Sequence, residues 1–188
     1  NPVAYLMKDS VEKPETCDVS KIRAAHEKFT ATYPKGTVLW NHMDNHDVCT
    51  KAAPEARHER LWGYERCTLA MLYCFAIDGV PLLFNGEEVC YDKYLTFYDH
   101  KNHWINWEEE TVKPHAVERT ANIKAWAKMR KEYSALTHGE TVWIDNDQPK
   151  TVLSFFRHDG VSQDVIFVGN FSEKKVKVKL SDGTKYKL

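Results

Sequence analysis

The sequence predicts an α/β segment followed by an all-β segment, and three observations carry that reading. Between Thr37 and His138, two short apolar runs alternate with two long stretches of helical periodicity, the order expected of a right-handed parallel strand-helix-strand-helix unit. Each run empties into a polar cluster: His42, Asp44, Asn45, His46 and Asp47 after the first, Asn85, Gly86, Glu87 and Glu88 after the second. From Glu140 the pattern changes to short segments broken by Asn-Asp, His-Asp-Gly and Ser-Glu turns, as in a small antiparallel sheet.

Composition narrows the function classes. The chain has 188 residues, of which 43% are hydrophobic, enough for a packed core and too many for a disordered chain. Its 26 basic and 27 acidic residues leave a net charge of −1, so no overall field favours nucleic acid or an anionic membrane as partner. Lys174, Lys175, Lys177 and Lys179 alternate with valines and read as a solvated strand face. No signal peptide and no long apolar run is present, and a chain opening Asn-Pro-Val is expected to be a piece of something longer. The cellular location is not legible. Of five cysteines, Cys17, Cys49, Cys67, Cys74 and Cys90, none shows metal-ligand spacing, and Cys67 and Cys74 read as two buried thiols on one helix face.

Taken in order, Asp18 is placed to cap a helix in which Val19, Ile22, Ala25 and Phe29 recur at helical spacing, ending before Pro34. Thr37 to Trp40 then read as a buried strand. After Pro54 one long helix is expected from about Glu55 to Ile77, with a charged, exposed start at Arg57, His58, Glu59 and Arg60 and a second half apolar on all sides. Asp78 and Gly79 stop it. Val80 to Phe84 read as a second buried strand, with Pro81 tolerable near its start. Tyr91 to Glu110 form a long aromatic loop with Tyr94, Phe97, Tyr98, Trp104 and Trp107, a length that usually marks function. Pro114 opens another helix in which Ile123, Trp126, Met129, Tyr133 and Leu136 line one face, with a stop at His138-Gly139. Strands follow at Thr141 to Ile144, Val152 to Arg157, Val165 to Phe171 and Val176 to Leu180. Such a sheet, about fifty residues in all, needs a neighbour to pack on.

The polar run after the first strand is the candidate site, because only the exit of a sealed parallel strand can meet a ligand. Its residue types serve three ends: imidazole and carboxylate ligands for a metal, a carboxylate that binds substrate, or a solvated loop. A metal-dependent phosphohydrolase would need further ligands on neighbouring helices, where the helix from Glu55 offers only His58.

The order of motifs resembles the α-amylase superfamily, glycoside hydrolase family 13. Asp44-Asn45-His46-Asp47 resembles that family's seventh-strand signature, and Gly79-Val80-Pro81-Leu82-Leu83-Phe84-Asn85-Gly86-Glu87-Glu88 its eighth-strand one. Met129 to Leu136, followed by His138-Gly139-Glu140, is similar to the last barrel helix, and Val168-Gly169-Asn170-Phe171-Ser172 looks like part of the C-terminal domain. The resemblance implies a partial (β/α)8 TIM barrel, the last two strands and their helices, over residues 1–139. A small antiparallel, β-sandwich-like domain would occupy residues 140–188.

By the same resemblance, Asp47 matches the third catalytic carboxylate, which stabilises the oxocarbenium-like transition state of a retaining glycosidase. His46 matches a histidine that binds the same sugar ring, and Asn45 and Trp107 are candidate sugar contacts. Asp44 and His42 are expected to hold the strand exit in shape. The implied ligand is an oligosaccharide or starch-like glucan. No metal or cofactor is implied for this chain, although the longer parent would have a calcium site in other segments.

Two departures matter. Thr50 stands where many members have an arginine, and no segment matches the fourth and fifth strands, which carry the nucleophile and acid/base about 5 Å apart. A whole barrel takes roughly 250 residues. The chain therefore reads as a fragment of an α-glucan-active hydrolase, catalytically incomplete alone. The alternative is a non-catalytic, carbohydrate-contacting module that self-associates through its open barrel edge.

Overall fold

The computed structural model describes residues 18–46, 57–93, 104–181 and 185–187. Helix α1 (Ser20–Thr32) buries Ile22 and stops at Tyr33, whose extended backbone precedes Pro34. Asp18 does not cap it through its side chain; its carboxylate accepts the Ser20 hydroxyl instead, and its carbonyl accepts the Lys21 N–H.

Strands β1 (Trp40–Asn41) and β2 (Val80–Pro81) pair in parallel, Trp40 opposite Val80 and Asn41 opposite Pro81. The ladder takes its donors from Val80 and Leu82, which give their N–H groups to Leu39 O at 2.8 Å and Asn41 O at 2.7 Å. Pro81 lies between them, where no donor is needed. Both strands are shorter than the apolar runs that predict them, and they are not buried on both faces. Alternate strand residues point to opposite sides: Leu39 and Asn41 are half-buried, whereas Val38 and Trp40 are 64% and 65% exposed, and Val80 and Leu83 are exposed too. Only one face of this pair is covered among the described residues.

The long helix expected after Pro54 is two helices, α2 (His58–Trp62) and α3 (Tyr64–Ala76). Gly63 separates them at φ +80° and ψ 166°, a backbone conformation open mainly to glycine. The apolar second half is buried as expected: Cys67, Ala70, Met71, Tyr73, Cys74, Phe75 and Ala76 all lie in the core. Cys67, Cys74 and Cys90 are buried free thiols; burial pushes the first two well up from the usual thiol range.

A 3-10 turn (Glu87–Val89) follows β2, and a single helical turn, α4 (Trp107–Glu110), precedes α5 (Pro114–Glu132), which has its proline in the first turn. Ile123 and Trp126 of α5 pack on the core, but Met129 is exposed. The helix ends at Tyr133, one turn before the expected stop. Leu136 belongs to a separate short helix, α6 (Ala135–His138), which ends at Gly139.

Strands β3 (Glu140–Trp143), β4 (Val152–His158) and β5 (Val165–Asn170) form an antiparallel sheet in the order β3-β4-β5. One face meets α3: Phe155 and Phe167 stack at 4.9 Å, with the Tyr73 ring edge-on to both. The main core therefore runs from the helices into this sheet. Strands β6 (Lys177–Lys179) and β7 (Lys185–Lys187) pair with each other. Val178 and Leu180 join Ile144 and Val152 in a second small core, and Lys177 and Lys179 point to solvent as the alternation predicts.

Candidate functional site

The polar groups at the two strand exits meet. Asp44, four residues after Trp40, and Glu87, six after Pro81, are both fully buried. The Glu87 carboxylate accepts the Asp44 N–H at 3.0 Å through Oε1 and the Phe84 N–H at 2.5 Å through Oε2. It thus fastens the chain leaving β1 to the chain leaving β2. Asp44 in turn pairs through its own carboxylate with His58 Nδ1. The His58 ring stacks on Trp62 at 3.8 Å with planes 13° apart.

Around this pair lies an ionic cluster that the sequence reading places at an exposed helix start. Arg57, His58 and Glu59 are among the most buried residues of the chain. Arg57 donates to Asn85 O at 2.7 Å and Lys93 O at 3.1 Å, and its guanidinium lies 5.4 Å from the Phe84 and Tyr91 ring centroids. Arg119 of α5 forms a two-pronged pair with Glu59, at 2.7 and 3.3 Å, and also donates to Thr68 Oγ1, Tyr64 O and Glu87 O. These groups are buried and not solvated for a physical reason: a buried carboxylate such as Asp44 or Glu87 is tolerated only beside compensating donors. A usable signal was present, since three consecutive ionisable residues preceding an apolar helix are as consistent with charge compensation as with solvation.

Burial and then the nearby Asp44 carboxylate push the Glu87 carboxyl well up from its ordinary value, while the two N–H donors pull the other way. Burial likewise raises Glu59 against the pull of Arg119. Burial also works against the Arg119 charge, but the facing Glu59 outweighs it and raises the guanidinium. The two-pronged geometry is that of an ion pair.

Asp44 therefore holds the strand exit, as expected, and is sealed from any ligand. The residues that follow it are not: Asn45 is half-buried and His46 exposed. Asp47 lies outside the described residues, as do Tyr94, Phe97 and Tyr98. Trp107 opens α4 at 41% exposure, and Trp104 is 76% exposed. Ile105, between them, packs with Val89, Tyr91 and Ala116, so both indoles stand on a segment pinned beside the turn that follows β2. Among the described residues no group of three or more His, Cys, Asp or Glu side chains converges as a metal site. A cleft of about 310 Å³ lined by Leu72, Phe75, Trp126 and Phe167 includes none of the strand-exit residues.

No protein-family model matches this sequence, and no curated protein matches it. Solved structures do. The noncanonic maltogenic α-amylase AmyB from Thermotoga neapolitana superposes with a TM-score of 0.74 over 94% of this chain, at 21% identity. The α-amylase of Geobacillus thermoleovorans, complexed with acarbose, gives 0.69 over 97% at 16% identity. Its fold is that of the α-amylase enzymes. A third match, the Nostoc punctiforme debranching enzyme soaked with acarbose, gives 0.63 over 96% at 16% identity. The resemblance read from the strand-exit motifs thus holds at the level of the α-amylase fold. The chain spans 38%, 38% and 37% of these three proteins.

Proposed function

We propose that this chain is a segment of a retaining glycoside hydrolase of the α-amylase type, acting on α-glucosidic bonds in starch-like oligo- or polysaccharides. Residues 1–139 would form the last part of its barrel and residues 140–188 its C-terminal β domain. The observation that supports the reading best is the joined pair of strand exits, Asp44 against Glu87, which presents Asn45 and the exposed His46 from a parallel pair in an α-amylase fold. Two of the matching proteins carry acarbose.

In this reading His46 and Asn45 hydrogen-bond hydroxyls of the sugar beside the bond to be cut, and Trp107 offers a flat apolar face to a ring. Asp47 supplies negative charge next to the developing oxocarbenium centre. A nucleophile and an acid/base carboxylate have no match in this sequence, so binding and turnover separate. The chain is expected to bind acarbose by calorimetry, with His46→Ala weakening it about tenfold, equal to loss of about 1.4 kcal/mol. It is expected to release no reducing ends from maltooligosaccharide. Turnover abolished by Asp47→Asn would overturn the account of the unmatched carboxylates.

The exposed Val38, Trp40, Val80 and Leu83 favour a second reading, a module that covers its open parallel edge by self-association.

A further inference from the structure

The proposed sugar contacts Asn45 and His46 sit on a chain that leaves a strand of only two residues, and so short a ladder fixes little by itself. The register at the other end of the pair is held by Asn41, whose side chain donates to Asp78 O at 2.7 Å, and by Gly79, packed against Leu39. At the exit end, beyond the Leu82 N–H to Asn41 O bond that closes the ladder, the Glu87 carboxylate joins the two chains by accepting the Asp44 N–H. We infer that Glu87 is a positioning residue: its carboxylate clamps the exits of β1 and β2 and thereby sets the backbone from which Asn45 and His46 reach a sugar. The inference rests on the α-glucan-binding reading above and adds a residue to it.

The clamp is rigidly mounted. Glu87 sits in the 3-10 turn, and its own carbonyl accepts Arg119 Nη1 at 3.2 Å while the Glu88 carbonyl accepts the Thr120 hydroxyl at 3.0 Å. Arg119 is itself fixed by Glu59. Helix α5 thus holds the turn, the turn holds Glu87, and Glu87 holds the Asp44 N–H two residues before His46. Gly86, at φ +95°, lets the chain turn into this position, where a Cβ would come within 2.9 Å of Ile105 Cδ1 and Tyr91 Cβ. Both Glu87 oxygens face N–H donors, which makes the residue intolerant of even its isosteric amide. In glutamine one of the two positions becomes an NH₂ group that opposes a donor with a donor.

The test uses the full, isotopically labelled chain and the substitution Glu87→Gln. Amide exchange at Asp44 is expected to accelerate at least tenfold, the His46 imidazole signals to move, and acarbose affinity to fall at least tenfold. The β4 and β5 amides should keep their protection, which separates positioning from general unfolding. Glu87→Asp, which reaches only one of the donors, should lie between; it also serves if the glutamine variant fails to fold. Unchanged His46 signals in a folded variant with faster Asp44 exchange would overturn the inference. Movement of the His46 signals in a chain whose parent form binds no acarbose would uphold the clamp and remove the sugar-binding reading.

Discussion

Arg157 shows how one side chain can close several backbone accounts at once. It is 1% exposed and donates to Ala76 O at 2.9 Å, Gly139 O at 2.5 Å and Leu136 O at 3.4 Å. These carbonyls lie at the ends of α3 and α6, where helices leave acceptors without intrahelical donors and where a cation is favoured. Arg130 does the same for Phe75 O and Gly79 O, at 2.7 and 2.8 Å. Burial pulls the Arg157 guanidinium down to about 10, yet it stays charged at neutral pH. Arg157→Met keeps the apolar stem and strands the carbonyls, so a loss of about 3 kcal/mol is expected in urea unfolding. A loss under about 0.5 kcal/mol, the range of a neutral surface change, would show that water replaces the guanidinium.

At the element scale, the junction between α3 and β2 is set by Asp78 and Gly79. Asp78 accepts from His26 of α1 at 2.7 Å and from Thr141 of β3 at 2.6 Å, so one carboxylate ties three elements. Burial raises its pKa, but the bonds from His26 and Thr141 outweigh burial and bring it down to about 2, from an ordinary 3.8. A depressed carboxylate stabilises the fold above its unfolded value and loses that contribution as pH falls toward its folded one. The stability difference between the parent chain and Asp78→Asn should therefore be full above about pH 4 and shrink toward pH 2. Equal acid limbs in the two chains would refute the assignment. Gly79, at φ +108°, is bound by sterics as well: a Cβ would lie 2.4 Å from Leu39 O. Gly79→Ala should separate β1 from β2 and speed amide exchange at Val80 and Leu82, while β4 and β5 stay protected.

For the whole molecule, the uncovered face of the parallel pair is the dominant feature. Parallel sheets are normally covered on both faces, and here Trp40 and Val80, opposite each other in the register, remain exposed, with Val38 and Leu83 exposed in the chain flanking the strands. Sedimentation is expected to show self-association that Val38→Lys with Leu83→Lys reduces to monomer. A monomeric parent chain at high concentration would count against the open-edge module. In contrast, the helices and the antiparallel sheet share one core through Tyr73, Phe155 and Phe167, so the two parts should unfold in a single transition. Among the described residues no helix is long and apolar enough to cross a bilayer.

Local sequence pattern determined the order of the elements, because hydrophobic period and turn chemistry are properties of a few neighbouring residues. The burial of Cys67 and Cys74, the proline at the start of α5, the solvated lysines of β6 and the parallel setting of the two strands were legible that way, whereas the contact of Glu87 with Asp44 was not. What pattern could not give was the sign of burial for ionisable groups. Arg57, His58 and Glu59 read as a solvated helix start, yet they are buried because Asp44, Glu87 and Arg119 arrive from distant parts of the chain. Gly63 was legible as a residue but not as a break, since its positive φ follows from how α2 and α3 must pack. The strand runs overstated their own cover for the same reason: a sequence records that Val38 and Trp40 are apolar, and only the tertiary structure decides what, if anything, lies against them.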